Sequence, residues 1–262
     1  MESKAEVYIS VISHGHRDII KKLACLEILN LNYNVVVKVN NEDPELVSYL
    51  KLKGIEYIKH SLPKGFGENN NEVFNYCLSH LGMKSNDYFI VLNPDVYIDT
   101  DDVSKLVMLS EENKILLSCI DLYKDSDYQI SDDSVRRFPV FSDFVKSYLF
   151  SVNNTIINKS TMKFLTEVDW AAGSFLCFRA SWYRELSGFN ECYFMYCEDI
   201  DLCYRSSSLG HRLTYIPQIK ALHLAGLNNR RFLSKHFFWH ISSTLRFLLS
   251  KYVKCPVKSS IR

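Results

Sequence analysis

EVYISVISHGHRDIIKKLACLEILNLNYNVVVKVNN, residues 6–41, decides the fold class. A β-branched run ends in HGHRD, apolar residues then recur at helical spacing, and a second apolar run closes the stretch, so the order is strand, loop, helix, strand. Nearly continuous apolar strands are the mark of a sheet covered on both faces. The pattern continues downstream. DPELVSYLKLKG (43–54) is a short helix opened by an Asp-Pro start signal, IEYIKH (55–60) a third strand, and LPKGFGENNNEVFNYCLSHLG (62–82) a glycine-bearing loop entering a helix. DYFIVLNPDVYID (87–99) is a fourth strand. Strands alternating with helices at this spacing predict an α/β fold with a mostly parallel, doubly wound central sheet flanked by helices. Ligands of such sheets bind in the crevice at the carboxyl ends of the strands.

Polar clusters stand at each of those ends. Ser13 and His14 follow the first strand, Asn40 and Asn41 the second, Lys64 to Asn71 the third, and Asn93 to Asp95 the fourth. Turn chemistry explains any one of them; their repetition in register predicts a site. In GFGENNN, Gly65 and Gly67 would let backbone approach a ligand in front of a helix N-terminus. The loop matches neither G-x-G-x-x-G nor the P-loop pattern, which disfavours a dinucleotide fold or an NTPase. Asn93 and Asp95 offer oxygen atoms to a hard divalent cation, which needs only one or two protein ligands beside phosphate oxygens and water; an Asx-Pro turn is the alternative.

The second half is less regular. NNTIINKSTM (153–162) has the composition of a mobile loop, and VDWAAGSFLCFRASWYREL (168–186) that of a strand through Gly173 followed by a helix. RLTYIPQIKALHLAG (212–226) is a strand pair or strand-loop carrying His223. Between them, YFMYCEDIDLCYR (193–205) sets Glu198, Asp199 and Asp201 in an apolar run that opens a helix from about Glu198 to Leu209, with Gly210 as its stop. First-turn acids suit the positive end of a helix, and Asp201 with Arg205 makes an i,i+4 pair. Asp199 points about 100° away from its neighbours. A carboxylate behind the apolar wall YFMYC is suited to take a proton from a hydroxyl. His223 could bring an imidazole to the same place, or be a hydrogen-bonded core residue.

The chain has 262 residues, 47% hydrophobic, with a formal net charge of +1, so it can bury a sizeable core and lacks the basic excess that nucleic acid demands. The charge is uneven: from Arg230 to Arg262 there are eight Lys/Arg and no Asp/Glu. NNRRFLSKHFFWHISSTLRFLLSKYVKC (228–255) mixes these cations with Phe, Trp and Leu, as does a helix lying on an anionic membrane surface. The alternative is a helix packed on the domain or a dimer face, which would make the protein a homo-oligomer. The eight cysteines lack any C-x-x-C pair and sit mostly in apolar runs, as buried thiols of a reducing compartment rather than zinc ligands. The N-terminus shows no signal-peptide h-region and no stretch is long enough to span a bilayer, so a cytoplasmic protein, peripheral at the inner face of the bacterial plasma membrane, is expected.

Together SHGH, GFGENNN, LNPD, VRRFPVFSDF, WAAGSFLCFR, GFNECYFMYCEDIDLCYR and HLAG resemble the family 2 inverting glycosyltransferases of the GT-A (Rossmann-like) fold, over roughly residues 5–240. Within that family the chain is similar to the WbbL-type bacterial rhamnosyltransferases, which add L-rhamnose from dTDP-rhamnose to a lipid-linked GlcNAc in O-antigen assembly. The resemblance implies Asp199 as catalytic base, and Asp95 with His223 holding Mg or Mn against the diphosphate. It implies Ser13, His14, Asn40, Asn41, Gly65, Gly67, Asn70, Asn93 and Asp95 around the nucleotide sugar, and Trp170, Gly173, Ser174 and Glu198 on the acceptor side. Asn93 stands where the family more often has the first acid of Asp-x-Asp. The implied organisation is a GT-A domain over 1–226, with a nucleotide-sugar half 1–110 and an acceptor half 111–226, and a basic helical extension over 227–262. Rival readings are a family 2 transferase using UDP-hexose or UDP-galactofuranose, and a non-catalytic nucleotide-sugar-binding subunit.

Overall fold

A computed structural model describes residues 5–59, 62–150, 153–224, 235–253 and 256–261. The first half runs β1 (Val7–Ser13), α1 (Arg17–Leu23), α2 (Cys25–Leu29), β2 (Asn34–Val39), α3 (Pro44–Leu52), β3 (Glu56–Lys59), α4 (Phe66–His80), β4 (Tyr88–Leu92), β5 (Val96–Tyr97) and α5 (Thr100–Glu112). The second runs β6 (Leu117–Tyr123), β7 (Val135–Arg136), α6 (Phe141–Phe150), β8 (Thr166–Val168), β9 (Trp170–Ala171), β10 (Phe175–Arg179), α7 (Ala180–Glu185), α8 (Glu198–Ser208), β11 (Leu213–His223) and α9 (Lys235–Ser250).

Nine of the strands form one mixed sheet in the order β3-β2-β1-β4-β10-β6-β11-β5, with β8 beside β11, and β7 pairs antiparallel with β9 in a separate two-stranded sheet. β1, β2, β3 and β4 are parallel, as are β6 and β11. β10 is antiparallel to both its neighbours, β4 and β6, and so joins the two parallel blocks. Strand alternation sends Val7, Ile9 and Val11 to one apolar core and Tyr8 and Ile12 to another on the opposite face. Ser10 and Lys38 share the second face, and there they meet the polar side of α4. Ser10 Oγ donates to Asn70 Oδ1 at 2.7 Å, and the buried Lys38 Nζ forms an ion pair with Glu72 Oε2 at 2.9 Å.

Four local expectations change. The helix after β1 breaks into α1 and α2 at Ala24, whose left-handed φ of 50° ends the first and starts the second. Residues 168–186 hold three strand pieces rather than one, because the turn at 172–174 folds β10 back against β4. Residues 213–223 are one strand, β11, whose pairing with β6 slips between Ile216 and Lys220, where Pro217 cannot donate to a ladder. Residues 153–162 are anchored: Ile157 N–H donates to the Val135 carbonyl, and the buried Lys159 Nζ lies 2.7 Å from Asp121 Oδ1. The proposed boundary at 226/227 lies outside the described residues.

Candidate active site

The helix α8 begins as its sequence requires, at Glu198, after two consecutive residues in the left-handed region, Tyr196 (φ 71°) and Cys197 (φ 63°). Such backbone is costly for side chains with a Cβ and occurs where surrounding structure compels it. The turn brings Asp199 against the 172–174 turn. Gly173 N–H donates to Asp199 Oδ2 at 3.1 Å and Ile200 N–H to Oδ1 at 2.8 Å. A Cβ at Gly173 would stand 2.9 Å from the Phe66 ring and 3.9 Å from Asp199 Cβ, so this approach is close on both sides. Burial raises the Asp199 pKa, while the two N–H groups and the cation of Arg136 oppose that rise.

The three acids of the opening turn have three environments. Asp201 is buried and paired with Arg205 Nε at 2.8 Å, and the same guanidinium donates to the carbonyls of Leu186 and Gly188. Glu198 is buried, its Oε2 has no hydrogen-bond partner among the described residues, and burial followed by the charge of Asp199 raises its pKa well above the usual range. Glu198, expected on the acceptor side, is thus buried next to Asp199 in the first turn of α8. Asp199 alone is half-exposed.

A second group is joined to the first through β4 and β10. Asn93 N–H donates to the Ser174 carbonyl at 2.9 Å, one residue from the Gly173 contact to Asp199, so β4 and β10 link the two regions directly. Beyond Asn93, His223 pairs with Val96 across β11 and β5, and Leu224 N–H donates to the Asp95 carbonyl at 3.0 Å. His223 Nε2 lies 3.5 Å from Asp95 Oδ1 and Nδ1 lies 3.2 Å from Asp132 Oδ2. Burial alone would lower the imidazole pKa, but the two carboxylates outweigh it and raise it to about 9.

The nucleotide-side residues divide. His14 is exposed, Asn41 accepts from Gly15 N–H at 3.2 Å, and Asn93 and Asp95 are half-exposed; all four follow the carboxyl ends of β1, β2 and β4. Ser13, Asn40 and Asn70 are buried. Ser13 O accepts from Asn40 N–H at 2.8 Å, the Asn40 amide bonds both the N–H and the carbonyl of Lys64, and the Asn70 amide joins Ser10 to the Phe66 carbonyl. These three tie the loops that follow β1, β2 and β3. A Cβ at Gly65 would meet the Phe194 carbonyl oxygen at 2.5 Å and one at Gly67 would meet Phe189 Cβ at 2.6 Å, so both glycines admit the 189–194 loop.

On the other side Trp170 is buried in β9, its Nε1–H held by the Arg137 carbonyl at 2.8 Å, with the Arg136 guanidinium 5.4 Å above the ring. The buried Ser174 Oγ has no hydrogen-bond partner among the described residues. The sequence reading missed three residues. Asp132 stands 91 positions from His223 and carries no local signal. Arg136 was visible only within VRRFPVFSDF. His16 was visible within SHGHRD; its Nδ1 accepts from His14 N–H at 2.9 Å, and the charge of Asp95 acts on it.

Among the described residues no group of three or more His, Cys, Asp or Glu gathers in a geometry that holds a metal. Asp95 and His223 offer one oxygen and one nitrogen 3.5 Å apart, a donor set that fits a cation shared with phosphate oxygens and water but not an all-protein cage.

No family model matches the chain. It is 41% identical over 252 residues to Rhamnosyltransferase WbbL of Escherichia coli (strain K12), covering 94% of both chains. It is 34% identical over 98 residues to the N-acetylglucosaminyl-diphospho-decaprenol L-rhamnosyltransferase of Mycobacterium tuberculosis, 36% of this chain and 32% of that protein. The fold superimposes with a TM-score of 0.63 and 11% identity on the crystal structure of GalNAc-T7 with UDP, GalNAc and Mn2+, covering 95% of this chain and 48% of that one.

Proposed function

The chain belongs to the WbbL-type rhamnosyltransferases, glycosyltransferases of the GT-A fold, and on that premise we propose that it transfers L-rhamnose, with inversion, from dTDP-L-rhamnose to a GlcNAc carried on a polyprenyl diphosphate. The product would enter O-antigen or another cell-surface polysaccharide, at the inner face of the plasma membrane. The observation that supports this reading is a chain of contacts joining the two groups: Asp199 on Gly173, Gly173 next to Ser174, Ser174 on Asn93, and Asp95 with His223 beyond. A base and a diphosphate-binding group at opposite ends of one crevice are what a single displacement requires.

The acceptor hydroxyl attacks the anomeric carbon from the face opposite the nucleoside diphosphate. A new C–O bond forms as the bond to the diphosphate oxygen breaks, and Asp199 takes the hydroxyl proton. Burial favours this, because a carboxylate with a raised pKa is a stronger base. The N–H groups of Gly173 and Ile200 hold its two oxygens in one orientation. His14, Asn41, Asn93 and Asp95 border the nucleotide sugar, and Trp170, Gly173 and Ser174 shape the acceptor side. A Mg or Mn ion, when bound, would offset charge on the leaving diphosphate, with Asp95 and His223 as its protein ligands. His223 would then keep its Nδ1–H on Asp132 and release the Nε2 proton.

The test is transfer by purified protein from dTDP-L-rhamnose to a GlcNAc-diphospho-lipid, with UDP-hexose and UDP-galactofuranose as competing donors. Transfer from dTDP-rhamnose alone is expected, falling by about 10²–10⁴-fold in Asp199→Asn while nucleotide-sugar binding persists. Full activity in that variant removes Asp199 as base, and transfer only from UDP-sugars removes rhamnose. Absence of turnover with any donor leaves a binding subunit. Activity that survives EDTA would assign charge neutralisation to the His223 imidazolium.

A further inference from the structure

Helix α9 has two opposite faces with apolar residues, and among the described residues only one is covered. On the inner face Phe247 is fully buried and meets Tyr204 at 5.8 Å, Ser243 Oγ donates to the Met195 carbonyl at 2.9 Å, and Lys251 Nζ donates to the Pro139 carbonyl at 2.7 Å. Phe194 packs on Trp239 at 4.6 Å. On the outer side Phe238 is 60% exposed, Ile241 37%, Leu245 51%, Leu249 59%, and Tyr252, just past the helix, 87%. At 100° per residue these five lie within about 80° of the circumference, roughly opposite Phe247. Single exposed apolar residues are ordinary, but a continuous stripe marks a surface that meets something.

We propose that this outer face docks on an anionic lipid bilayer. The charge of the segment as a whole selects the occupant: residues 230–262 carry eight Lys/Arg and no Asp/Glu, of which Arg246 lies over the Tyr193 ring and Lys251 on the Pro139 carbonyl. A second copy on a twofold axis would set like charges against each other, whereas anionic headgroups attract each nearby cation by about 1 kcal/mol. With 16 residues α9 is about 24 Å long, short of the ~30 Å hydrocarbon core, so it lies in the interface with its apolar stripe buried.

The position of the helix gives the docking a use. Its inner face packs on residues 194–197, the turn that delivers Asp199, through Phe194, Met195 and Tyr196. A bilayer under the outer face therefore sets the height of the base above the membrane, where the sugar of a lipid-linked acceptor projects. That last step rests on the proposed reaction; the docking itself does not.

The experiment uses the full chain and vesicles of phosphatidylcholine with and without phosphatidylglycerol. Wild type should sediment with the mixed vesicles, and less as salt rises. Leu245→Asp/Leu249→Asp should lose about a hundred-fold in vesicle affinity, with its thermal midpoint and its transfer to a short-chain, water-soluble GlcNAc diphosphate unchanged. Ile241→Ser/Leu245→Ser, which adds no charge, should lose affinity in the same direction and keeps the test open if the first variant misfolds. Vesicle binding equal to wild type in both variants, or a wild-type dimer that either variant dissociates, would overturn the proposal. Sedimentation that follows the stripe with no rhamnosyl transfer by either protein would overturn the reaction and leave the docking standing.

Discussion

Asp199 is governed by opposing neighbours. Burial raises its pKa; the N–H groups of Ile200 and Gly173 and the cation of Arg136 pull it down. If Asp199 is the base, kcat/KM rises with pH as it loses its proton, with an acidic limb above the usual carboxylate range. Arg136→Gln removes the cation, so the limb should move to still higher pH in a pH–rate profile. Arg136→Lys keeps the charge without the planar stack on Trp170 and should restore most of the profile. An unmoved limb in Arg136→Gln would mean that the guanidinium does not act on the base.

At the scale of elements, two helices hold the crevice. The α4 helix is tied by a row of asparagines in three directions: Asn69 to the carbonyls of Lys64 and Gly65, Asn70 to β1, and Asn71 to Tyr183 and Phe189. The α8 helix is tied by Arg205, which joins buried Asp201 to the carbonyls of Leu186 and Gly188. Deleting one member of a buried pair leaves the other charge uncompensated, a loss of about 3–5 kcal/mol. Arg205→Ala should therefore lose stability of that order in urea unfolding. A change below about 1 kcal/mol, the scale of an exposed pair, would show that the charge at Asp201 is solvated.

At the scale of the molecule, His223 joins Asp95, after β4, to Asp132, before β7. Its folded pKa of about 9 exceeds the ordinary 6.5. A raised cationic pKa stabilises the metal-free fold fully below pH 6.5, and this contribution is lost as pH rises towards 9. The rise from 6.5 to about 9 corresponds to about 3.5 kcal/mol. The thermal midpoint of metal-free protein should fall across that window, and His223→Gln should flatten the fall. An equal slope in both proteins would remove His223 as the titrating group. Because a metal and a proton compete for Nε2, Mn2+ affinity measured by calorimetry should rise over the same range.

Local pattern alone was enough for the parallel strands β1 to β4, the start of α8 at Glu198 and the Asp201–Arg205 pair, because apolar periodicity, strand-end turns and i,i+4 spacing are properties of neighbours in the chain. The resemblance carried by GFNECYFMYCEDIDLCYR singled out Asp199 for the same reason: its motif is contiguous. Tertiary structure decided what depends on residues far apart. It turned Gly65 and Gly67 towards Phe194 and Phe189, drew Asn40 and Asn70 behind the crevice, buried Glu198, and set Asp132 on His223 across 91 positions. Sequence also shows that the C-terminal segment is basic and apolar at once. Which apolar residues are covered by Tyr204 and Met195, and which remain on the outer stripe of α9, follows only from packing, since the same helical period places both sets in the chain and only a neighbour removes one from water.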